Sequence, residues 1–190
     1  MPDIKDQTSL YHLTSLENLS NILRDGLKPR AHLAAFVDIA DGEILTKRQA
    51  LALENYVPFH WFSKNPFEGS VQRSKPNAKF VLISVYRTFA RSNNWKIIPR
   101  HPLANDAIQL LNYNEGFEAI EWEVMNRREY HDTHCKSVCM AECLSPGVVL
   151  PRNFARLYVQ SAEIEAICKA KMQECGLTVP ISVNPGMFFR

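Results

Sequence analysis

Short runs of aromatic and β-branched residues constrain the fold of this chain more than any other feature. The clearest run is KFVLISVY at residues 79–86, whose alternation predicts a half-buried strand. These runs do not alternate regularly with helices, as they would in a doubly wound sheet. We therefore predict an α+β fold with a mixed or antiparallel sheet. Further strands are predicted at residues 9–13, 56–62, 117–124, 138–144, 156–160 and 179–183.

The sequence contains fewer signals for helices than for strands. Thr14 and Glu17 have the spacing of a capping box, in which both side chains accept hydrogen bonds from free backbone donors at a helix start. This helix is predicted to end at Gly26, since glycine tolerates the positive φ of a helix terminus. A second helix is predicted at residues 162–174. Residues 63–77 contain two prolines, a glycine and small polar residues, and we predict a surface loop there.

The composition is that of an ordinary globular protein. The chain has 190 residues, 46% of them hydrophobic, and its 22 basic and 20 acidic residues give a net charge of +2. We expect a single domain over residues 1–190. No window approaches the roughly 18 apolar residues of a membrane span, and the first residues, MPDIKDQTS, lack the pattern of a secretory signal. We expect a cytoplasmic protein with reduced cysteines.

The charges are unevenly distributed along the chain. Residues 69–105 contain no acidic residue and several basic ones, with aromatic residues among them. Cations and rings in such a mixture are typical of a groove for single-stranded nucleic acid, because cations bind phosphates and rings stack on bases. The alternative is a solvated surface beside core aromatics. In the first interpretation Arg87, Arg91 and Lys96 contact phosphates and Trp95 offers a stacking surface.

A group of histidines and cysteines raises the question of a metal site. The group contains side chains of the type that zinc prefers, but no CxxC pair. If residues 138–144 form a strand, Cys139 and Cys143 lie about 13 Å apart, too far to bind the same ion. We therefore expect no metal and interpret the cysteines as small buried hydrophobic residues. The group is His131, His134, Cys135, Cys139 and Cys143.

Two polar residues stand in apolar surroundings. His12 lies in the first predicted strand, where a histidine is either a hydrogen-bonded structural residue or part of a site. Glu142 lies in the apolar run CMAECL, where an unpaired carboxylate has a large desolvation cost. The glutamate therefore either pairs with a cation such as Lys136 or Arg48, or faces a cleft and acts there.

Four blocks of sequence, in this order, carry a resemblance to a known family. They are YHLTSLENLSNILRDGL, YVPFHWFSKNP, IEWEVMNRREY and KSVCMAECLSPGVVLPRNFARLYV. Together they resemble the DarT family of nucleic-acid ADP-ribosyltransferases, the toxins of DarT–DarG toxin–antitoxin pairs. The resemblance implies a PARP-like ADP-ribosyltransferase fold, with a split mixed sheet and an NAD cleft. It also implies cleavage of NAD, transfer of ADP-ribose to a base of single-stranded DNA, no metal, and a cognate antitoxin.

The resemblance also implies roles for individual residues. His12 and Thr14 match the strand and turn that hold the nicotinamide side of NAD, and Asn21 matches an asparagine of the same pocket. Glu142 matches the catalytic glutamate. Arg48 is the candidate for the arginine that clamps the diphosphate and takes part in catalysis, with Lys47 as a rival.

The acceptor remains open at this stage. Residues 130–138 match the family segment that presents the target base, but they are shorter and less basic than expected. The acceptor could therefore be DNA, RNA or protein. A non-catalytic module that binds single-stranded nucleic acid would explain the basic segment but would leave Glu142 and His12 without roles. Release of nicotinamide from NAD distinguishes an enzyme from such a module.

Overall fold

The strands form one mixed sheet. A computed structural model describes residues 3–33, 36–38, 52–102 and 109–189. Within these residues seven strands are ordered β4-β5-β2-β1-β3-β6-β7, and neighbours are antiparallel except for the parallel pair β6–β7. The predicted α+β class with a mixed sheet is confirmed. The strands are β1 Ser9–Ser15, β2 Val57–His60, β3 Phe80–Tyr86, β4 Lys96–Ile98, β5 Glu142–Ser145, β6 Arg156–Val159 and β7 Ile181–Val183.

Seven α-helices lie in the described part of the chain. The one at Ala162–Glu174 agrees with the prediction. None of the described helices is long and apolar enough to span a membrane. The helices are α1 Leu19–Asp25, α2 Pro66–Ser74, α3 Arg87–Ser92, α4 Tyr113–Ala119, α5 Trp122–Arg127, α6 Thr133–Val138 and α7 Ala162–Glu174.

Three predictions of secondary structure were wrong. The predicted loop at residues 63–77 contains α2, because the Asn65 side chain accepts a hydrogen bond from the Glu68 amide and Pro66 occupies the first turn. The predicted strand at residues 117–124 is helical and belongs to α4 and α5. The predicted strand at residues 138–144 is shorter, since only β5 is extended there and α6 precedes it.

The start of the first helix also differs from the prediction. Thr14 still belongs to β1, and Ser15 is the cap, with its hydroxyl accepting a hydrogen bond from the Glu17 amide. A single 3-10 turn, Leu16–Asn18, then leads into α1. The predicted end is confirmed, because Gly26 has a φ of +86°. A side chain there would also come within 2.5 Å of Val148.

The sheet is split between β1 and β2. Seven register pairs join β1 to β3, whereas β1 and β2 share the single pair Tyr11–His60. Beyond this pair His12 Nδ1 lies 2.8 Å from the carbonyl oxygen of Pro58. The nitrogen of Pro58 faces the same strand edge as its carbonyl but carries no hydrogen to donate to β1. The proline and the histidine together therefore replace the backbone ladder that would close this gap.

Arg87 holds the opposite end of β1 in place. Its guanidinium donates to the carbonyl oxygens of Ser9, Lys5 and Trp61 at 3.1, 2.9 and 2.9 Å. It also lies 4.9 Å from the ring of Trp61 and 5.7 Å from that of Trp122. Burial lowers the pKa of Arg87 to about 10, so the side chain remains charged at neutral pH. Arg87 thus ties the N-terminal segment, β1 and the end of β2 together.

We predict that Arg87→Met lowers the free energy of unfolding by about 3 kcal/mol or more, because it leaves three carbonyl oxygens without their donor. Arg91→Met is the matched control, since the same change four residues later on α3 affects an exposed side chain. The control should change stability by no more than about 0.5 kcal/mol. Urea denaturation of both variants measures the difference, and equal stabilities would contradict the structural role of Arg87.

We also predict that His12 makes folding sensitive to acid. Burial lowers the pKa of His12 from 6.5 to about 4, the Pro58 carbonyl opposes this shift, and His60 adds to it. Below about pH 6.5 the unfolded chain therefore takes up a proton that the folded chain does not bind, so stability falls as the pH falls. Between about pH 7 and pH 4.5 the wild type should lose about 2 kcal/mol more than His12→Gln. Urea denaturation at both pH values tests this, and parallel losses would contradict it.

Candidate active site

A cleft opens where β1 and β2 separate. Its volume is about 470 Å³, within the range of about 300–1,000 Å³ that is usual for sites of small molecules and cofactors. Both strands at the split contribute to its wall, through His12, Thr14, Pro58 and His60, and Glu142 joins them from β5. The split thus brings together residues from three separate blocks of the sequence.

Glu142 lies in this cleft, as one of the two interpretations of its sequence context required. It is the first residue of β5 and lies in register with His60 of β2 and Ile98 of β4. Only 6% of the residue is exposed. An ionised carboxylate in so enclosed a position acts strongly on a positive charge that develops nearby.

The imidazole of His12 is neutral at physiological pH, because its pKa is about 4. The Pro58 carbonyl can only accept a hydrogen bond, so Nδ1 carries the proton and donates it. Nε2 is therefore a hydrogen-bond acceptor. His12 combines both of the roles considered for it, since it is a bonded structural residue of the strand and also lines the cleft.

The other predicted cofactor residues have different environments. Thr14 is buried and lines the cleft. Asn21 also lines it but is exposed, and its side-chain oxygen accepts a hydrogen bond from Arg24 at 2.8 Å. Arg48 and its rival Lys47 lie outside the described residues.

Several residues of the cleft were not predicted, among them Asn18, His60 and Phe67. Asn18 is buried at the start of α1, and its amide contacts Thr14. The ring of His60 stacks on Phe67, with centroids 5.3 Å apart and planes inclined by 27°. Sequence signals existed, since Asn18 follows Thr14 by four residues and His60 is a polar residue within an aromatic strand. Neither signal alone distinguishes a site from a core contact.

The basic segment has only part of the predicted arrangement. Arg91 and Lys96 reach the surface and donate to the side chains of Asn114 and Asn112 at 2.9 and 2.6 Å. Arg87 is buried, and its donors are occupied by three carbonyls, so it is not available to a phosphate. Trp95 is 2% exposed and packs on Phe59 and Phe89, so it offers no stacking surface. The predictions for Arg87 and Trp95 were therefore wrong.

The cysteines are packed as predicted for small hydrophobic residues. Cys135, Cys139 and Cys143 are buried, and burial raises the pKa of Cys139 to about 12. The thiol of Cys135 lies 3.2 Å from the carbonyl oxygen of Val124. His134 contacts Glu121 at 3.0 Å instead of a cysteine. Within the described residues the three cysteines are therefore part of the packing of α5, α6 and β5.

Comparison with known proteins identifies relatives of this fold. The model of the family DarT, described as ssDNA thymidine ADP-ribosyltransferase, matches residues 11–189. Thermus sp. 2.9 DarT in complex with ADP-ribosylated ssDNA has a TM-score of 0.84 at 16% identity, and the match covers 96% of each chain. Thermus sp. 2.9 DarT in complex with NAD+ has a TM-score of 0.80 at 14% identity, over 97% of this chain and 98% of that one.

Thermosipho africanus DarTG in complex with ADP-ribose has a TM-score of 0.75 at 22% identity, over 96% of this chain and 51% of that one. No individually curated protein matches the chain. The structural matches confirm the predicted PARP-like ADP-ribosyltransferase fold. Since the family model covers nearly the whole sequence, this protein belongs to the DarT family of NAD-dependent ssDNA thymidine ADP-ribosyltransferases.

Proposed function

We propose that the cleft between β1 and β2 binds NAD and that Glu142 directs transfer of its ADP-ribose to a thymine of single-stranded DNA. The observation that carries this assignment is the burial of the Glu142 carboxylate in the same cleft as the neutral imidazole of His12. Nicotinamide is the other product.

The reaction places specific demands on these groups. The bond between the nicotinamide nitrogen and the ribose carbon breaks, and its electron pair neutralises the positive pyridinium ring. Positive charge develops on the ribose, where a fixed carboxylate such as Glu142 stabilises it. A ring nitrogen of thymine then forms the new bond to the ribose carbon and loses its proton, for which Glu142 is the nearby base.

His12 suits the cationic end of NAD because it carries no charge. A protonated imidazole would repel the pyridinium ring, whereas the acceptor Nε2 can bind an N–H of the carboxamide or a ribose hydroxyl. The low pKa of His12 therefore contributes to function as well as to the fold. We assign Thr14 and Asn21 to the same side of the cofactor, on the wall and at the rim of the cleft.

For the diphosphate we retain Arg48 as the proposed ligand. The sequence places it between α1 and β2, the two elements that border the cleft. A guanidinium can bind two phosphate oxygens at once and hold the ADP-ribose part of the substrate, which is the group transferred, in place. This proposal comes from the sequence alone.

For the acceptor we propose that Arg91 and Lys96 bind phosphates of the DNA strand. Both cations are at the surface of the acid-free segment and are oriented by asparagines at the start of α4. Asparagine amides beside cations also suit polar contacts with a nucleic-acid backbone. The target base must be unpaired or flipped out to reach the ribose carbon.

We also propose a cognate antitoxin as partner and the cytoplasm as the site of action. The support for an antitoxin is the likeness to Thermosipho africanus DarTG, whose chain extends well beyond the part that this protein matches. The cytoplasm of a bacterium holds both DNA and NAD, so activity there requires no export. No role for a metal is proposed, because the carboxylate supplies the charge that the ribose requires.

We predict that Glu142→Gln lowers the turnover of ADP-ribose transfer at least about a hundredfold and changes NAD affinity little, because the charge matters most in the transition state. Nicotinamide release and modification of a thymidine-containing oligonucleotide are the measurements. Glu115→Gln, at an exposed position of α4, is the control. Near-normal transfer by a folded Glu142→Gln variant would refute the assignment.

We predict that combined charge reversal of Arg91 and Lys96 weakens oligonucleotide modification and leaves NAD binding unchanged. Each lost phosphate contact should reduce the log–log slope of affinity against salt by about 0.7 for a single strand. Reversal of Arg152 and Lys169, two exposed cations outside the segment, controls for net charge. If the double variant modifies oligonucleotides as the wild type does near physiological salt, DNA binds elsewhere. An RNA oligonucleotide of the same length tests the alternative acceptor.

A further inference from the structure

The buried side-chain amide of Asn18 makes hydrogen bonds that have no part in the proposed reaction. Asn18 is the last residue of the 3-10 turn after β1, is 9% exposed and lines the cleft. Its side chain points neither to solvent nor to the helix that it precedes, since it makes no capping bond to α1. Its hydrogen bonds instead join two separate parts of the chain.

The first part is the segment Phe36–Asp38, which we call the strap. The Asn18 amide nitrogen donates to the Val37 carbonyl at 2.9 Å, and the Asn18 side-chain oxygen accepts from the Val37 amide at 2.8 Å. The side chain thus pairs with both backbone groups of one residue, as a neighbouring strand would. The two bonds require one donor and one acceptor, so they fix the orientation of the amide.

The second part is the end of β1. The Asn18 amide nitrogen also lies 3.3 Å from the Thr14 hydroxyl oxygen, which is buried beside it. Thr14 therefore occupies the second donor position of the amide and holds it toward the strap. A continuous chain of contacts runs from the sheet through Thr14 and Asn18 to the Val37 backbone.

Arg30 and Lys75 also contact the strap. Arg30 pairs with the Asp38 carboxylate, Lys75 donates to the Asp38 carbonyl, and the guanidinium of Arg30 lies over the ring of Phe36. The Arg30–Asp38 pair is partly exposed, and such pairs contribute little to stability. The amide of Asn18 is buried and holds both backbone groups of Val37, so it is a contact that fixes the strap against the cleft. The strap itself lines that cleft.

We infer that Asn18 is a positioning residue for NAD binding. Its side chain fixes the strap Phe36–Asp38 as a preformed wall of the cleft. The inference rests on the proposed function of this cleft as the NAD site. A wall that is fixed before binding spares the ligand the entropic cost of ordering it. Loss of the Asn18 contacts should therefore affect NAD affinity and leave the chemical step nearly unchanged. Thr14 acts through Asn18 in the same way.

The sharpest variant is Asn18→Asp, which keeps the shape and the acceptor and loses the donor to the Val37 carbonyl. We expect KM for NAD to rise about tenfold or more while kcat stays within about threefold. Amide hydrogen exchange at Val37 should accelerate in parallel, because the carboxylate oxygen that replaces the amide nitrogen repels the Val37 carbonyl oxygen and displaces the strap. Glu17→Ala, at the exposed neighbouring position, should change neither quantity.

Thr14 supplies a second pair of variants in case Asn18→Asp does not fold. Thr14→Ser keeps the hydroxyl and should rescue KM and Val37 exchange relative to Thr14→Val. Thr14→Val has the same shape without the acceptor, and should raise KM and Val37 exchange in the same direction as Asn18→Asp. A merely structural role for Thr14 predicts instead that both variants lower the melting temperature without separating KM from kcat.

Two results overturn the inference. If kcat falls and KM does not change, Asn18 acts on the reacting groups. If KM and Val37 exchange both remain at wild-type values, the strap is held by other contacts. The proposed function fails separately, when the wild type itself neither binds NAD nor releases nicotinamide.

Discussion

The separation of β1 from β2 is the constraint on which the site depends. It results from two residues. Pro58 in β2 has no backbone N–H to donate, and His12 in β1 donates a side-chain hydrogen bond to the carbonyl of that proline. A complete ladder between these strands would occupy the space that is now the cleft. The rest of the sheet is regularly paired, with seven pairs joining β1 to β3. The protein thus keeps a rigid sheet and leaves one opening in it.

The cleft between β1 and β2 contains two titratable side chains, His12 and Glu142. His12 is neutral because its environment is desolvated, and the carboxyl group of Glu142 lies in the same cleft. A substrate that begins with a cationic ring and passes the positive charge to a sugar fits this combination. At the far end of β1, Arg87 is charged and buried, but backbone carbonyls and two indole rings surround it. Its role is therefore structural.

The sequence predicted the elements whose signals are local. The strand β3 and the helix α7 follow from their own periodicity, and the stop at Gly26 follows from one glycine. The helix α2 was missed because the two prolines and the polar residues of residues 63–77 resemble a loop. In the structure Asn65 caps the helix, and the buried Glu68 accepts a hydrogen bond from the Lys64 amide. Burial explains the other errors. The identity of a basic or aromatic residue does not tell whether its side chain faces DNA, as proposed for Arg91, or the core, as Trp95 does.

The single pair Tyr11–His60 has a mechanical consequence. It divides the sheet into two parts, β4-β5-β2 with Glu142 and β1-β3-β6-β7 with His12, and the His12–Pro58 and Arg87 contacts join these parts on either side of the pair. The width of the cleft and the position of His12 relative to Glu142 therefore depend on the same contacts. A substitution that disturbs the His12–Pro58 contact would accordingly alter the wall of the cleft and the placement of the imidazole at the same time.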